Sequence, residues 1–77
     1  MTAKVLVVDA DVRPRRALAA ELRQLGYSTV EAGDGEEGWS LFCQQEPALV
    51  ITDLAMPRCD GQELLRRIRG RSDVPVI

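Results

Sequence analysis

Histidine is absent from the 77 residues, and cysteine and the aromatic residues are scarce: two Cys, one Trp, one Tyr and one Phe. Without histidine, these residues offer no histidine-based catalyst, no common zinc site and no phosphohistidine. The two cysteines, Cys43 and Cys59, are too few for a disulfide scaffold. They are typical of free thiols, so we expect a reducing, cytoplasmic location.

Long apolar runs and an excess of positive charge are missing as well. The run from Val5 to Val8 is far shorter than the about 20 residues that cross a bilayer, and the start of the chain lacks the pattern of a secretory signal. The net charge is −2 and the pI is about 5.0. We therefore expect neither a membrane contact nor a nucleic-acid contact through this segment.

Four short segments have the pattern of β-strands. Residues 4–8 and 49–52 are continuous, apolar and rich in β-branched residues, which is typical of parallel strands buried on both faces. Residues 27–32 alternate more and include a glutamate, which favours an edge strand. Residues 74–77 have the pattern of the beginning of a fourth strand.

Between the strands, helices are predicted over residues 12–25, 35–45 and 61–69. Each has apolar residues three and four positions apart, which form one buried face; in the first helix these are Leu18, Leu22 and Leu25. Gly26 predicts the end of the first helix. Two helix starts have the spacing of a capping box, an Asp followed three positions later by a Glu. These pairs are Asp34 with Glu37 and Asp60 with Glu63.

Strands that alternate with helices predict an α/β fold of three layers, in which a parallel sheet lies between helices. One domain over residues 1–77 accounts for the whole pattern. We take the strand order to be 2-1-3-4, which is common in doubly wound sheets, where ligands bind beyond the carboxyl ends of the strands at the point where the order reverses.

Two acidic positions follow strands that this order makes neighbours. Asp9 ends the first strand, with Asp11 two residues later, and Asp53 ends the third strand. Carboxylates held close together repel unless a proton or a cation joins them, and Mg²⁺ suits such oxygen ligands. This arrangement indicates phosphoryl chemistry with a carboxylate nucleophile. The alternative is structural: Asp11 caps the first helix, and the other acids are solvated.

Three segments resemble the response-regulator receiver family. The run LVITDLAMPRCDG, at residues 49–61, resembles its signature of an apolar strand, Asp, Met-Pro and Asp-Gly before a helix. KVLVVDAD at residues 4–11 resembles its first strand and acidic turn, and AGDGEEGWSLF at residues 32–42 resembles its second strand-to-helix turn. The resemblance extends over the whole chain and implies a flavodoxin-like fold.

The resemblance also implies a function and a site. Asp53 would accept a phosphoryl group from a sensor histidine kinase or a phosphotransfer protein, with Mg²⁺ as cofactor, and the change would alter an output surface. The chain would be a signalling phosphoacceptor and not an enzyme with a separate substrate. The implied metal ligands are Asp9, Asp53 and the backbone carbonyl of Ala55, with Asp11 as an alternative. The implied site-shaping loop positions are Met56, Pro57 and Gly61.

The sequence departs from the family pattern in two places. Ala10 occupies the position where the family usually has a second acid, so we expect weaker Mg²⁺ binding. The family's Ser or Thr after the fourth strand, its Lys after the fifth strand, the fifth strand itself and the last helices are not present in these residues. We therefore expect a receiver domain incomplete at its C-terminus, whose exposed sheet edge promotes oligomerisation.

Four arginines lie on or near the first helix, where a solvated surface or contact with an acidic partner explains them. They are Arg13, Arg15, Arg16 and Arg23.

Three functions remain open. The first is a phosphoacceptor module. The second is a pseudo-receiver that binds partners without phosphorylation, which Ala10 favours. The third is a fragment of a haloacid-dehalogenase-type phosphatase, because Asp9-Ala10-Asp11 after an apolar strand resembles the nucleophile motif of that family.

Overall fold

The computed structural model describes residues 3–53 and 61–77. Within these residues the chain forms strands and helices in the order β1, α1, β2, α2, β3, α3. The strands are β1 (Lys4–Val8), β2 (Ser28–Ala32) and β3 (Leu49–Thr52). The helices are α1 (Val12–Gln24), α2 (Gly35–Gln45) and α3 (Gly61–Arg69).

The strands form a parallel sheet in the order β2-β1-β3, which confirms the predicted topology for these strands. The segment after α3 takes the predicted fourth position. Val50 N–H donates to the Pro75 carbonyl at 3.0 Å, and Ile77 N–H donates to the Val50 carbonyl at 2.9 Å. Val76 forms a parallel bridge with Val50 but no continuous strand, so the pairing is shorter than predicted.

The helices cover both faces of the sheet. Alternate residues of a strand point to opposite faces. Leu6, Val8 and Val50 point towards α2 and α3 and form one core with apolar residues of those helices. Val5 and Val7 point to the other face, where α1 contacts β1 and β2. Full burial of a large apolar side chain stabilises the fold by about 1.5–3 kcal/mol. The core residues on α2 and α3 are Phe42, Leu64 and Ile68.

α2 lies very close to β1. A Cβ atom at Gly38 would be 3.0 Å from Cγ2 of Val8 and 3.3 Å from Cδ2 of Leu64. The start of α2 is fixed by Asp34, whose Oδ1 accepts from the N–H of Glu37 at 2.8 Å. Glu37 in turn accepts from the N–H of Gly33, the residue before the cap, at 2.7 Å. The Asp34 cap is thus confirmed, whereas Glu37 bonds one residue before the N–H that a capping box uses. The second predicted pair includes Asp60, which lies outside the described residues.

α1 ends one residue earlier than predicted, for a local reason. Tyr27 N–H donates to the Leu22 carbonyl and Gly26 N–H donates to the Arg23 carbonyl, both at 3.0 Å. These bonds form a Schellman motif, and Gly26 has the positive φ of 97° that the motif requires. Leu25 becomes the helix cap and is 74% exposed, which corrects its predicted place on the buried face.

None of the helices in the described ranges is both long and apolar enough to span a membrane.

Candidate functional site

Two carboxylates occupy the carboxyl edge of the sheet at neighbouring strands. Asp9 follows β1, and its N–H donates to the Ala32 carbonyl of β2 at 3.0 Å. Asp53 follows β3, and its N–H donates to the Val8 carbonyl of β1 at 3.0 Å. Val8 and Thr52 are register partners, so the two acids follow paired residues of strands about 4.8 Å apart. The structure therefore places Asp9 and Asp53 at one edge, where the strand order reverses.

The two acids differ in exposure and in local structure. Asp9 is half-buried, whereas Asp53 is exposed. Oδ1 of Asp9 accepts from the N–H of Asp11 at 2.9 Å, which closes the turn between β1 and α1. This bond holds the Asp9 carboxylate against its own turn.

Asp11 has a structural role that the sequence analysis offered as an alternative to metal binding. It is the N-cap of α1 and has extended backbone dihedrals, and its Oδ1 accepts from the N–H of Arg13 at 3.1 Å. Such a cap typically stabilises a helix by about 1 kcal/mol. Ala10, between the two acids, is exposed and contributes no oxygen ligand from its side chain.

A basic side chain completes the turn. Arg15 donates from Nη1 to the backbone carbonyl of Asp9 at 3.0 Å and from Nε to Oε1 of Glu31 at 3.2 Å. Arg23 approaches the other oxygen of Glu31 at 3.4 Å. Both arginines were predicted to face solvent or an acidic partner, and this pairing with Glu31 was not predicted. The available signal was Glu31, the one charged residue of β2.

Of the predicted metal ligands, Asp9 and Asp53 both lie at this edge of the sheet, and carboxylate oxygens are ligands that suit Mg²⁺. Within residues 3–53 and 61–77, no three His, Cys, Asp or Glu side chains are grouped to hold a metal ion. Gly61 is buried at the start of α3. The other predicted positions, Ala55, Met56 and Pro57, lie outside the described residues.

Comparisons with known proteins agree with this geometry. The profile of the response regulator receiver domain matches residues 5–77. A probable transcriptional regulator, ycf27, of Porphyridium aerugineum is 43% identical over 74 residues, which is 96% of this chain and 31% of that protein. The chain thus spans about a third of the length of this curated relative.

Solved structures show the same fold. The chemotaxis protein CheY4 of Vibrio cholerae has a TM-score of 0.94 and 29% identity, over 99% of this chain and 66% of that one. The response regulator TrrA of Thermotoga maritima, solved in complex with Mg²⁺ and BeF, has a TM-score of 0.89 and 34% identity, over 99% and 66% of the two chains. The profile match, the sequence identity and the sheet order together show that this chain belongs to the response regulator receiver domain family.

Proposed function

We propose that this receiver domain accepts a phosphoryl group on Asp53 from the phosphohistidine of a sensor histidine kinase or a phosphotransfer protein. One observation carries the proposal: Asp53 and Asp9 follow register-paired residues at the switch point of the sheet. A carboxylate nucleophile beside a second carboxylate is the arrangement that metal-assisted transfer to an acid needs.

The exposures of the two acids support Asp53 as the acceptor. Asp53 is exposed, so a donor protein has access to it, whereas Asp9 is half-buried. In the transfer, a carboxylate oxygen of Asp53 bonds to phosphorus. The phosphorus–nitrogen bond of the donor breaks, and its electron pair returns to the imidazole. The reaction is self-directed, and no separate substrate is turned over.

Mg²⁺ is the cofactor that we propose for this transfer. The carboxylates of Asp9 and Asp53 would hold it, together with the backbone carbonyl of Ala55 that the family resemblance implies, and Asp11 is an alternative ligand. When bound, the ion offsets the negative charge of the carboxylates and of the phosphoryl oxygens. TrrA, a relative of the same fold, was solved with Mg²⁺.

Ala10 favours a second candidate function, that of a pseudo-receiver which binds partners without phosphorylation. One carboxylate fewer lowers the negative charge that attracts the cation, so Mg²⁺ affinity falls. The third interpretation, a phosphatase with Asp9 as nucleophile, is disfavoured by the family match and by the bond that holds Asp9 to its turn.

An intact-mass measurement with Mg²⁺ and acetyl phosphate tests the proposal. We expect the mass of one phosphoryl group to appear on the wild type and to be absent from Asp53→Asn. We expect the Asp9→Asn variant, which retains Asp53, to be phosphorylated as well. It should need a higher Mg²⁺ concentration for the same gain in mass.

Two outcomes of this mass measurement would contradict the proposal that Asp53 accepts the phosphoryl group. A gain that persists in Asp53→Asn and disappears in Asp9→Asn would favour the phosphatase interpretation. No gain on the wild type, with a gain on Ala10→Asp, would identify a pseudo-receiver.

As part of the same function, we propose that the partner is a sensor histidine kinase or a phosphotransfer protein. We also propose a cytoplasmic location. The curated relative is a probable transcriptional regulator of which the chain spans about a third, so a transcriptional output is also only a proposal for this chain.

A further inference from the structure

Arg15 connects the acidic turn to the edge strand of the sheet. Its guanidinium donates to the Asp9 carbonyl at the end of β1 and to Glu31 in β2, although the side chain itself comes from α1. Only 14% of the Arg15 side chain is exposed, and 21% of Glu31. An ion pair with this degree of burial and two well-placed acceptors is better defined than an ordinary surface pair.

The backbone of Gly33 passes close to the guanidinium of Arg15. A Cβ atom at Gly33, directly after β2, would lie 3.2 Å from Nη1 of Arg15. A larger side chain at Gly33 would therefore push the guanidinium away from Asp9. Glu31 also accepts from Arg23, so one carboxylate balances two cationic side chains near the acidic edge.

We propose that Arg15 is a positioning residue of the phosphoacceptor site, which orients Asp9 for Mg²⁺ by holding its backbone carbonyl. The inference rests on the proposed function, because it names the residue that prepares the same site. Asp9 is held from two directions: its carbonyl by Arg15 and its carboxylate by the N–H of Asp11. Loss of Arg15 would release the peptide between Asp9 and Ala10 and let the carboxylate leave its orientation.

The direction in which Mg²⁺ affinity changes when Arg15 is removed distinguishes a positioning role from a purely electrostatic one. Removal of a nearby positive charge would, by electrostatics alone, strengthen the binding of a cation. Loss of an outer-shell contact that orients a ligand typically weakens metal binding by about 10–100-fold. Because Arg15 acts through the backbone of Asp9, we expect the lower end of that range.

Calorimetric titration with MgCl₂ measures this effect. We expect Arg15→Met to raise the Mg²⁺ dissociation constant about tenfold. Arg15→Lys should restore part of the affinity, since an ammonium group reaches one acceptor but does not form the fork to both. Arg16→Met, an exposed neighbour on the same helix, is the matched control and should bind as the wild type does.

Amide hydrogen exchange gives a readout that needs no metal. The N–H of Asp9 bonds to β2, and the N–H of Asp53 bonds to β1 from the other side. We expect Arg15→Met to speed exchange at Asp9 about tenfold, with little change at Asp53, because a charge-assisted bond is lost on one side only. A general loss of stability would speed both amides together.

Both the Mg²⁺ titration and the exchange measurement can overturn the positioning role of Arg15. Tighter or unchanged Mg²⁺ binding in Arg15→Met, or an Asp9 exchange rate equal to that of Arg16→Met, would overturn it. If the wild type binds no Mg²⁺ and takes no phosphoryl group, the proposed function fails, and the exchange rate at Asp9 alone decides whether Arg15 positions the turn.

Discussion

At the residue scale, a hydroxyl in β2 is buried without compensation. Oγ1 of Thr29 is buried and has no hydrogen-bond partner among residues 3–53 and 61–77. A buried hydroxyl without a partner costs about 1–3 kcal/mol, whereas a methyl group of similar size has no such cost. Thr29→Val should therefore raise the free energy of unfolding by about 1 kcal/mol, measured by urea denaturation.

Thr52 is the matched control for this change. It also lies in a strand, but its Oγ1 donates to the Asp53 carbonyl at 3.1 Å. Thr52→Val should therefore be neutral or destabilising. Equal stabilisation by both substitutions would mean that β-propensity, and not the unpaired hydroxyl, is responsible.

The acidic edge of the sheet shows which residue positions can be predicted from a sequence. Asp9, Asp11 and Asp53 were identifiable because each stands directly after a strand or before a helix, so local position defines their place. The contact between Arg15 and Glu31 joins residues of different elements, and its acceptor on Asp9 is a backbone atom. A sequence pattern has no direct signal for such a contact.

At the scale of elements, the position of α2 depends on a glycine. A methyl group at Gly38 would meet Cγ2 of Val8 at 3.0 Å and Cδ2 of Leu64 at 3.3 Å, and both of these side chains are fully buried. Alanine gains about 1 kcal/mol in helix propensity over glycine, but overpacking a rigid core typically costs about 1–3 kcal/mol.

Gly38→Ala should therefore lower the free energy of unfolding by about 1 kcal/mol, as measured by urea denaturation. Gly70→Ala is the control, because its added methyl group would make only ordinary contacts at 3.5 Å or more. A Gly38→Ala variant as stable as the control would show that α2 moves away from β1 at little cost.

Most element bounds followed from local pattern, and the differences have local causes. The predicted bounds of β1, β3, α2 and α3 are those observed, since apolar runs, caps and helix periodicity all act within a few residues. β2 begins at Ser28 instead of residue 27 because Tyr27 takes part in the helix-ending motif. The fourth strand is only a bridge at Val76, although Pro75 and Ile77 also hydrogen-bond to β3.

At the scale of the whole molecule, the stability of the fold should report on the site. A cation that binds only the folded chain adds about 2.7 kcal/mol of stability at one hundred times its dissociation constant. Since Asp9 and Asp53 come together only when β1 and β3 pair, the unfolded chain lacks this site. We therefore expect MgCl₂ to raise the midpoint of thermal unfolding of the wild type above the midpoint in NaCl of equal ionic strength.

The Ala10→Asp variant tests whether the missing carboxylate limits this stabilisation by Mg²⁺. Without Mg²⁺, a further negative charge beside Asp9 should lower the midpoint, because like charges repel at the turn. With Mg²⁺, the same charge becomes an additional ligand, so the rise should exceed that of the wild type. If MgCl₂ and NaCl act alike on both proteins, the acidic edge does not bind Mg²⁺; a rise in Ala10→Asp alone would show that the alanine is what separates this chain from a metal-binding receiver.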